Sequence, residues 1–93
     1  MDMARPRITI TDCTQCQWLL RSAWLAQELL PTFGADLGEV ALVPRTSGMF
    51  QIAYEGEIIW DRKHDGGFPE AKILKQRVRD RLDPERSLSH SDR

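Results

Sequence analysis

The sequence predicts an α/β (α+β) fold in the order β-α-β-β-β-α, with a four-stranded mixed sheet and two helices on one face. Three features predict it. A strand-like alternation at residues 7–11 gives way to a helical period and then to a second apolar strand; two further strand patterns meet at Glu55-Gly56; and an amphipathic pattern follows Pro69.

Arg7-Ile8-Thr9-Ile10-Thr11 alternates β-branched apolar and polar residues, as a half-buried strand does, with Ile8 and Ile10 toward the core. Asp12 to Gln15 then reads as a short polar connection. From about Cys16 to Phe33 the period becomes helical, with Leu19, Ala23, Ala26, Leu30 and Phe33 in one stripe and Arg21 and Glu28 opposite. Pro31 and Gly34 place its end between Leu30 and Gly34. Glu39 to Pro44 reads as a short buried strand, completing a right-handed βαβ unit. Met49–Tyr54 and Glu57–Asp61 form a hairpin around Glu55-Gly56, and alternation with Ile58 assigns Trp60 to the core. Arg62 to Gly67 is a charged loop. Pro69 suits the first position of a second helix, with Ile73, Leu74, Val78 and Leu82 inward, basic residues outward and Pro84 at its end. The expected organisation is a flexible N-terminus at 1–6, one domain at 7–83 and a disordered polar tail at 84–93.

With 93 residues, 13 basic and 14 acidic, the chain has the size of one small domain and a net charge of −1. That balance gives no electrostatic reason for a nucleic-acid partner. No apolar run approaches a membrane span, and residues 1–7 lack the apolar core of a signal peptide, so the expected location is cytoplasmic. Two cysteines three apart do not make a stabilising disulfide framework in a reducing compartment.

Cys13-Thr14-Gln15-Cys16 carries the chemistry. A Cys-x-x-Cys pair between a predicted strand and a predicted helix matches the thioredoxin type of redox motif. Backbone N–H groups and the dipole at a helix start favour a thiolate. A second thiol nearby can resolve a mixed disulfide. No Lys, Arg or His lies within the motif, so the helix terminus is expected to supply most of this effect. Structural zinc would need two further ligands, and His64 and His90 are the only histidines. No metal and no organic cofactor is therefore expected. His64 reads as a solvated loop residue. Trp18 and Trp24 are weighed between packing and a docking surface beside the thiols. Gly66 and Gly67 are hinge residues or small residues that leave room for a substrate.

Four stretches together resemble the selenoprotein W-like (Rdx) family of thioredoxin-like proteins, the group that includes selenoproteins T and H. They are Ile8 through Cys16, Thr46-Ser47-Gly48-Met49-Phe50, Gly56-Glu57-Ile58-Ile59-Trp60 and Gly66-Gly67-Phe68-Pro69, spanning about residues 7 to 82. The resemblance, to a cysteine-containing bacterial-type member, implies a thioredoxin-like fold. In relatives with selenium the second motif position is selenocysteine, which implies Cys16 as attacking thiolate and Cys13 as resolving thiol; thioredoxin itself implies the reverse. Relatives often carry glutamate where this chain has Gln51. The catalytic candidates are Cys13 and Cys16. Candidates for substrate or partner contact are Thr14, Gln15, Trp18, Thr46, Ser47, Gly48, Gly66, Gly67 and Phe68.

The function expected is thiol-disulfide exchange in redox homeostasis, with protein thiols or disulfides or glutathione as partners and no membrane partner. Reducing equivalents would come from glutathione or a reductase. The other reading is a non-catalytic interaction module switched by the thiol pair, with Trp18, Leu20 and Trp24 in an exposed patch.

Overall fold

The computed structural model describes residues 5–86 and 88. Strands β1 (Arg7–Cys13), β2 (Glu39–Arg45), β3 (Gln51–Tyr54) and β4 (Glu57–Asp61) form one sheet in the order β2-β1-β3-β4. β1 and β2 are parallel, and the other neighbours are antiparallel. Helix α1 (Leu19–Phe33), a one-turn helix α2 (Arg62–Asp65) and helix α3 (Ala71–Leu82) complete the order. The fold is thus the α+β arrangement that the sequence predicts. The core joins Ile8, Ile10 and Ile52 of the sheet to Leu25, Leu29 and Phe33 of α1 and to Leu74 and Val78 of α3.

β1 runs two residues further than expected, so Asp12 and Cys13 are strand residues and both are buried. Its alternation places Ile8, Ile10 and Asp12 on the helix side. β2 is corrected from a buried strand to an edge strand with Leu42 and Pro44 exposed; an edge position tolerates proline because its outer N–H row is unpaired. β3 begins at Gln51 rather than Met49. Its register with β4 shifts between Ile52 and Ala53, which pair with Trp60 and Ile58. Ile59 is the extra residue, so Ile59 and Trp60 are both buried while Ile58 is exposed, and the expected alternation of Ile58 with Trp60 fails there.

α1 departs most from expectation. It starts at Leu19, three residues after Cys16, and buries Ser22, Leu25, Leu29, Thr32 and Phe33. Leu19, 57 % exposed, and Leu30 point outward. Apolar residues occur almost all round this helix, and the Leu25–Leu29–Phe33 series at steps of four wins the sheet, with small Ser22 allowing close approach. Glu28 consequently faces α3, where it meets Lys75 at 3.1 Å; this lysine is 2 % exposed, although the basic residues of α3 were expected to point to water. Pro31 lies within the last turn, and the Gly34 N–H closes the helix on Leu30.

At the chain ends, the Pro6 carbonyl accepts the Gly38 N–H at 2.7 Å, and a Cβ at Gly38 would lie 2.8 Å from the Arg5 carbonyl oxygen, so glycine is required there. Arg86 pairs with Asp36 and Leu88 enters the core, so chain beyond Pro84 packs on the domain; residues 1–4, 87 and 89–93 of the expected flexible termini lie outside the described residues. No helix among the described residues is long and apolar enough to cross a membrane.

Candidate functional site

The strand directions gather the end of β1, the start of β3, the end of β4 and the start of α1 at one end of the sheet, with Thr11 opposite Gln51 and Gln51 opposite Asp61. Cys13 closes β1 and Cys16 follows in the turn Thr14–Gln17, whose Cys16 N–H donates to the Cys13 carbonyl at 3.3 Å. Thr14 ties this turn to β2: its N–H and its hydroxyl both donate to the Arg45 carbonyl, at 2.9 and 3.2 Å. Gln17, at φ 60, turns the chain into α1.

Both cysteines are free thiols. Cys13 is 1 % exposed, whereas Cys16 is half-buried. The Cys16 thiol first, and the N–H groups of Gly48, Cys16 and Gln15 after it, lie close enough to the Cys13 sulfur to favour its thiolate. These donors hold the Cys13 pKa below the usual thiol value against the opposing effect of burial. Cys16 is raised, first by donating to Cys13, then by desolvation and by the negative charge of Cys13; Arg62 and the Gly48 N–H act in the other direction. The electropositive surroundings therefore come from the turn, the Gly48 amide and Arg62. The expectation that the helix terminus supplies most of the effect is corrected, because α1 begins beyond the motif.

Gly48 sits between Ser47, at φ 68, and Met49, and itself has φ 70, a conformation that favours glycine. Its N–H meets the sulfurs and its carbonyl accepts a long bond, 3.5 Å, from Arg62 Nη2. The Arg62 guanidinium lies 4.9 Å from the Trp18 ring centroid, and its Nε is buried without a hydrogen-bond partner. Trp18 meets Phe68 edge-on at 5.0 Å, Phe68 meets Phe50 at 4.8 Å, and Arg21 lies 4.5 Å over Phe68. The Gly66-Gly67 segment delivers Phe68 to this cluster: the Gly66 N–H caps α2 on Arg62, and the Gly67 carbonyl accepts the Trp60 indole N–H at 2.8 Å.

Among the residues singled out in the sequence, Cys13, Cys16, Gly48, Trp18 and Phe68 converge. Thr14 is a structural tie, and Gln15, Thr46 and Ser47 are exposed around the motif. His64 is solvent-facing beside Asp65. Gln51 is half-buried next to a recess of about 320 Å³ that also borders Gly48 and Lys63. Arg62, Arg21 and buried Asp12, whose Oδ2 has no hydrogen-bond partner, were missed. For Arg62 the signal is topological: β4 runs in the same direction as β1 across β3, so a residue directly after β4 lands at the end of the sheet where β1 delivers the thiols.

A four-stranded sheet with a Cys-x-x-Cys turn leaving its parallel central strand defines a protein of thioredoxin-like architecture. The chain belongs to the Rdx family, whose model matches residues 7–80. It is similar to a crystal structure of a protein from Bordetella parapertussis, at 74% identity over 83% of this chain and 98% of that one, with a TM-score of 0.82. It is also similar to the selenoprotein W-related protein from Vibrio cholerae, at 58% identity over 85% of this chain and 99% of that one, TM-score 0.83. No curated protein matches the chain.

Proposed function

We propose that the protein is a thiol-disulfide redox protein that cycles Cys13 and Cys16 between dithiol and disulfide. The observation that carries this reading is the placement of two free thiols in one turn at the end of β1, Cys13 buried as its last residue and Cys16 half-buried three residues on, close enough that each shifts the other's acidity. Membership of the Rdx family supports it.

Accessibility and acidity divide the labour. A substrate disulfide must be approached in line by the attacking sulfur, which disfavours Cys13 at 1 % exposure and favours Cys16. The Cys13 thiolate accepts the Cys16 proton as Cys16 attacks. One Cys16–substrate S–S bond forms, the substrate disulfide breaks, and the leaving sulfur departs as thiolate, taking up a proton. The proton it takes up is the one Cys13 had accepted, so Cys13 is again a thiolate and attacks the Cys16 sulfur from inside, expelling the second substrate sulfur as a thiolate that is protonated from solvent. The products are the Cys13–Cys16 disulfide and a reduced substrate, two electrons having passed to it. A low-molecular-weight thiol or a reductase restores the dithiol in the cytoplasm.

Single variants test this assignment. Cys16→Ser abolishes turnover of a small disulfide, falling at least about a hundredfold, because the reachable nucleophile is lost. Cys13→Ser retains the first attack and accumulates a mixed disulfide detectable by mass. Accumulation in Cys16→Ser instead would reverse the two roles. Exposed Leu20 and Trp24 favour a second reading, a thiol-switched interaction module, for which turnover with any disulfide is negligible.

A further inference from the structure

Arg5 aside, the cations among the described residues fall into two groups. Arg7, Lys75, Arg77, Arg79, Arg81 and Arg86 each have a carboxylate partner. Arg21, Arg45, Arg62, Lys63 and Lys72 have none among the described residues, and the elements that carry them put all five at the thiol end. Four carboxylates share that end, but among the described residues none forms an ion pair with these five cations: Asp12 is buried, Asp61 accepts the Lys63 backbone N–H, Asp65 is paired with Arg77, and Glu70 stands at the start of α3.

Two of these guanidiniums, Arg62 and Arg21, bracket the Trp18–Phe68 ring pair. From there a groove of about 360 Å³ leads away from the thiols. It is lined by Gln17, Trp18, Leu20, Arg21 and Trp24, with Leu20 85 % and Trp24 46 % exposed. Gln17 directly follows Cys16, and Trp24 lies about 10 Å further at a rise of ~1.5 Å per residue. That is longer than a small thiol needs and matches roughly three residues of extended chain at about 3.3 Å each.

We infer that this groove receives an extended segment of a partner protein bearing the reacting cysteine, with an acidic residue beside it against Arg21 and Arg62 and an apolar residue against Leu20 and Trp24. The inference rests on the redox reading of the thiols and adds to it the class of substrate. Charge complementarity chooses the occupant: an acidic segment supplies the carboxylate that Arg21 and Arg62 lack among the described residues, and a basic one is repelled.

The test uses the reduced full chain and three synthetic peptides, each carrying one cysteine as a mixed disulfide with thionitrobenzoate. Attack on the peptide sulfur releases the coloured aromatic thiolate and forms a Cys16–peptide disulfide, which Cys13 then resolves. One peptide has acidic flanks and a leucine two residues on, the second has lysine flanks with the same leucine, and the third has acidic flanks with serine for leucine. At low salt the first reacts about tenfold faster than the second, and about 0.5 M salt removes most of that ratio. Arg21→Glu brings the ratio to one or below. Trp24→Ser abolishes the advantage of the first peptide over the third; both positions are exposed, so neither change threatens the fold. Equal rates with the acidic and basic peptides, or a ratio that Arg21→Glu does not move, would overturn the docking inference and leave the redox reading standing. If no peptide releases its chromophore, the redox reading fails and the inference falls with it.

Discussion

The two ends of the sheet are built differently. At the end away from the thiols the Glu55-Gly56 turn is tied back to β1, Glu55 donating its N–H to Arg7 and accepting the Arg7 N–H on its carboxylate. The charges there are matched, Arg7 with Glu39, Arg81 with Glu57 and Arg86 with Asp36. The thiol end has, among the described residues, cations without carboxylate partners and a carboxylate oxygen of buried Asp12 without a donor. One end is satisfied internally. The other is left for something outside the chain to complete, and local mismatches of this kind cluster at working sites.

The strongest way to break the contrast is to remove the aromatic support of the open end. Phe68→Ala takes away the ring that joins Trp18, Phe50 and Arg21, and should cost about 3 kcal/mol in urea unfolding. A cost within about 0.5 kcal/mol of zero would mean that the cluster is not holding this end together.

Arg62→Met sharpens the contrast without unfolding either end. In a Cys13→Ser background, Cys16 is relieved of its raising neighbour and its pKa falls; adding Arg62→Met then raises it again, whereas Arg62→Lys keeps it low. The readout is the pH dependence of alkylation, with several-fold slower reaction near neutrality for the methionine variant.

Asp65 supplies a pH test between the ends. The Asp61 N–H first, and Arg77 after it, hold its carboxyl below the ordinary value. A depressed folded pKa gives stability that is present above the unfolded value of about 3.9 and is lost as pH falls through the folded one. The melting-temperature gap between wild type and Asp65→Asn is therefore open at pH 6 and closes from about pH 4 downward. Arg81→Met, at the matched end, should be the smallest change. Its pair with Glu57 is exposed to solvent, so the melting temperature should stay close to that of the wild type and thiol alkylation should be unaffected.

Much of this architecture can be read locally. Ile8 and Ile10 alternate cleanly, Glu55-Gly56 marks its hairpin, and Pro69 and Pro84 bracket α3. The face of α1 could not be read, because Leu19, Leu20, Ala23, Trp24, Leu25, Ala26, Leu29 and Leu30 support two competing stripes and only the sheet chooses between them. The bulge at Ile59 leaves no local mark. Burial of Lys75 depends on Glu28, forty-seven positions away. The site divides in the same way. The cysteines announce themselves by spacing, and Gly48 and Phe68 by family resemblance, but Arg62 reaches the thiols only once β4 is laid beside β3.

The most direct test of the account is a redox titration of the wild-type chain in glutathione buffers, counting free thiols and mass at each potential. The account predicts one two-electron transition in which both thiols disappear together and the monomer gains no adduct. Cysteines that stay reduced throughout, or that become glutathionylated separately without ever joining each other, would contradict it.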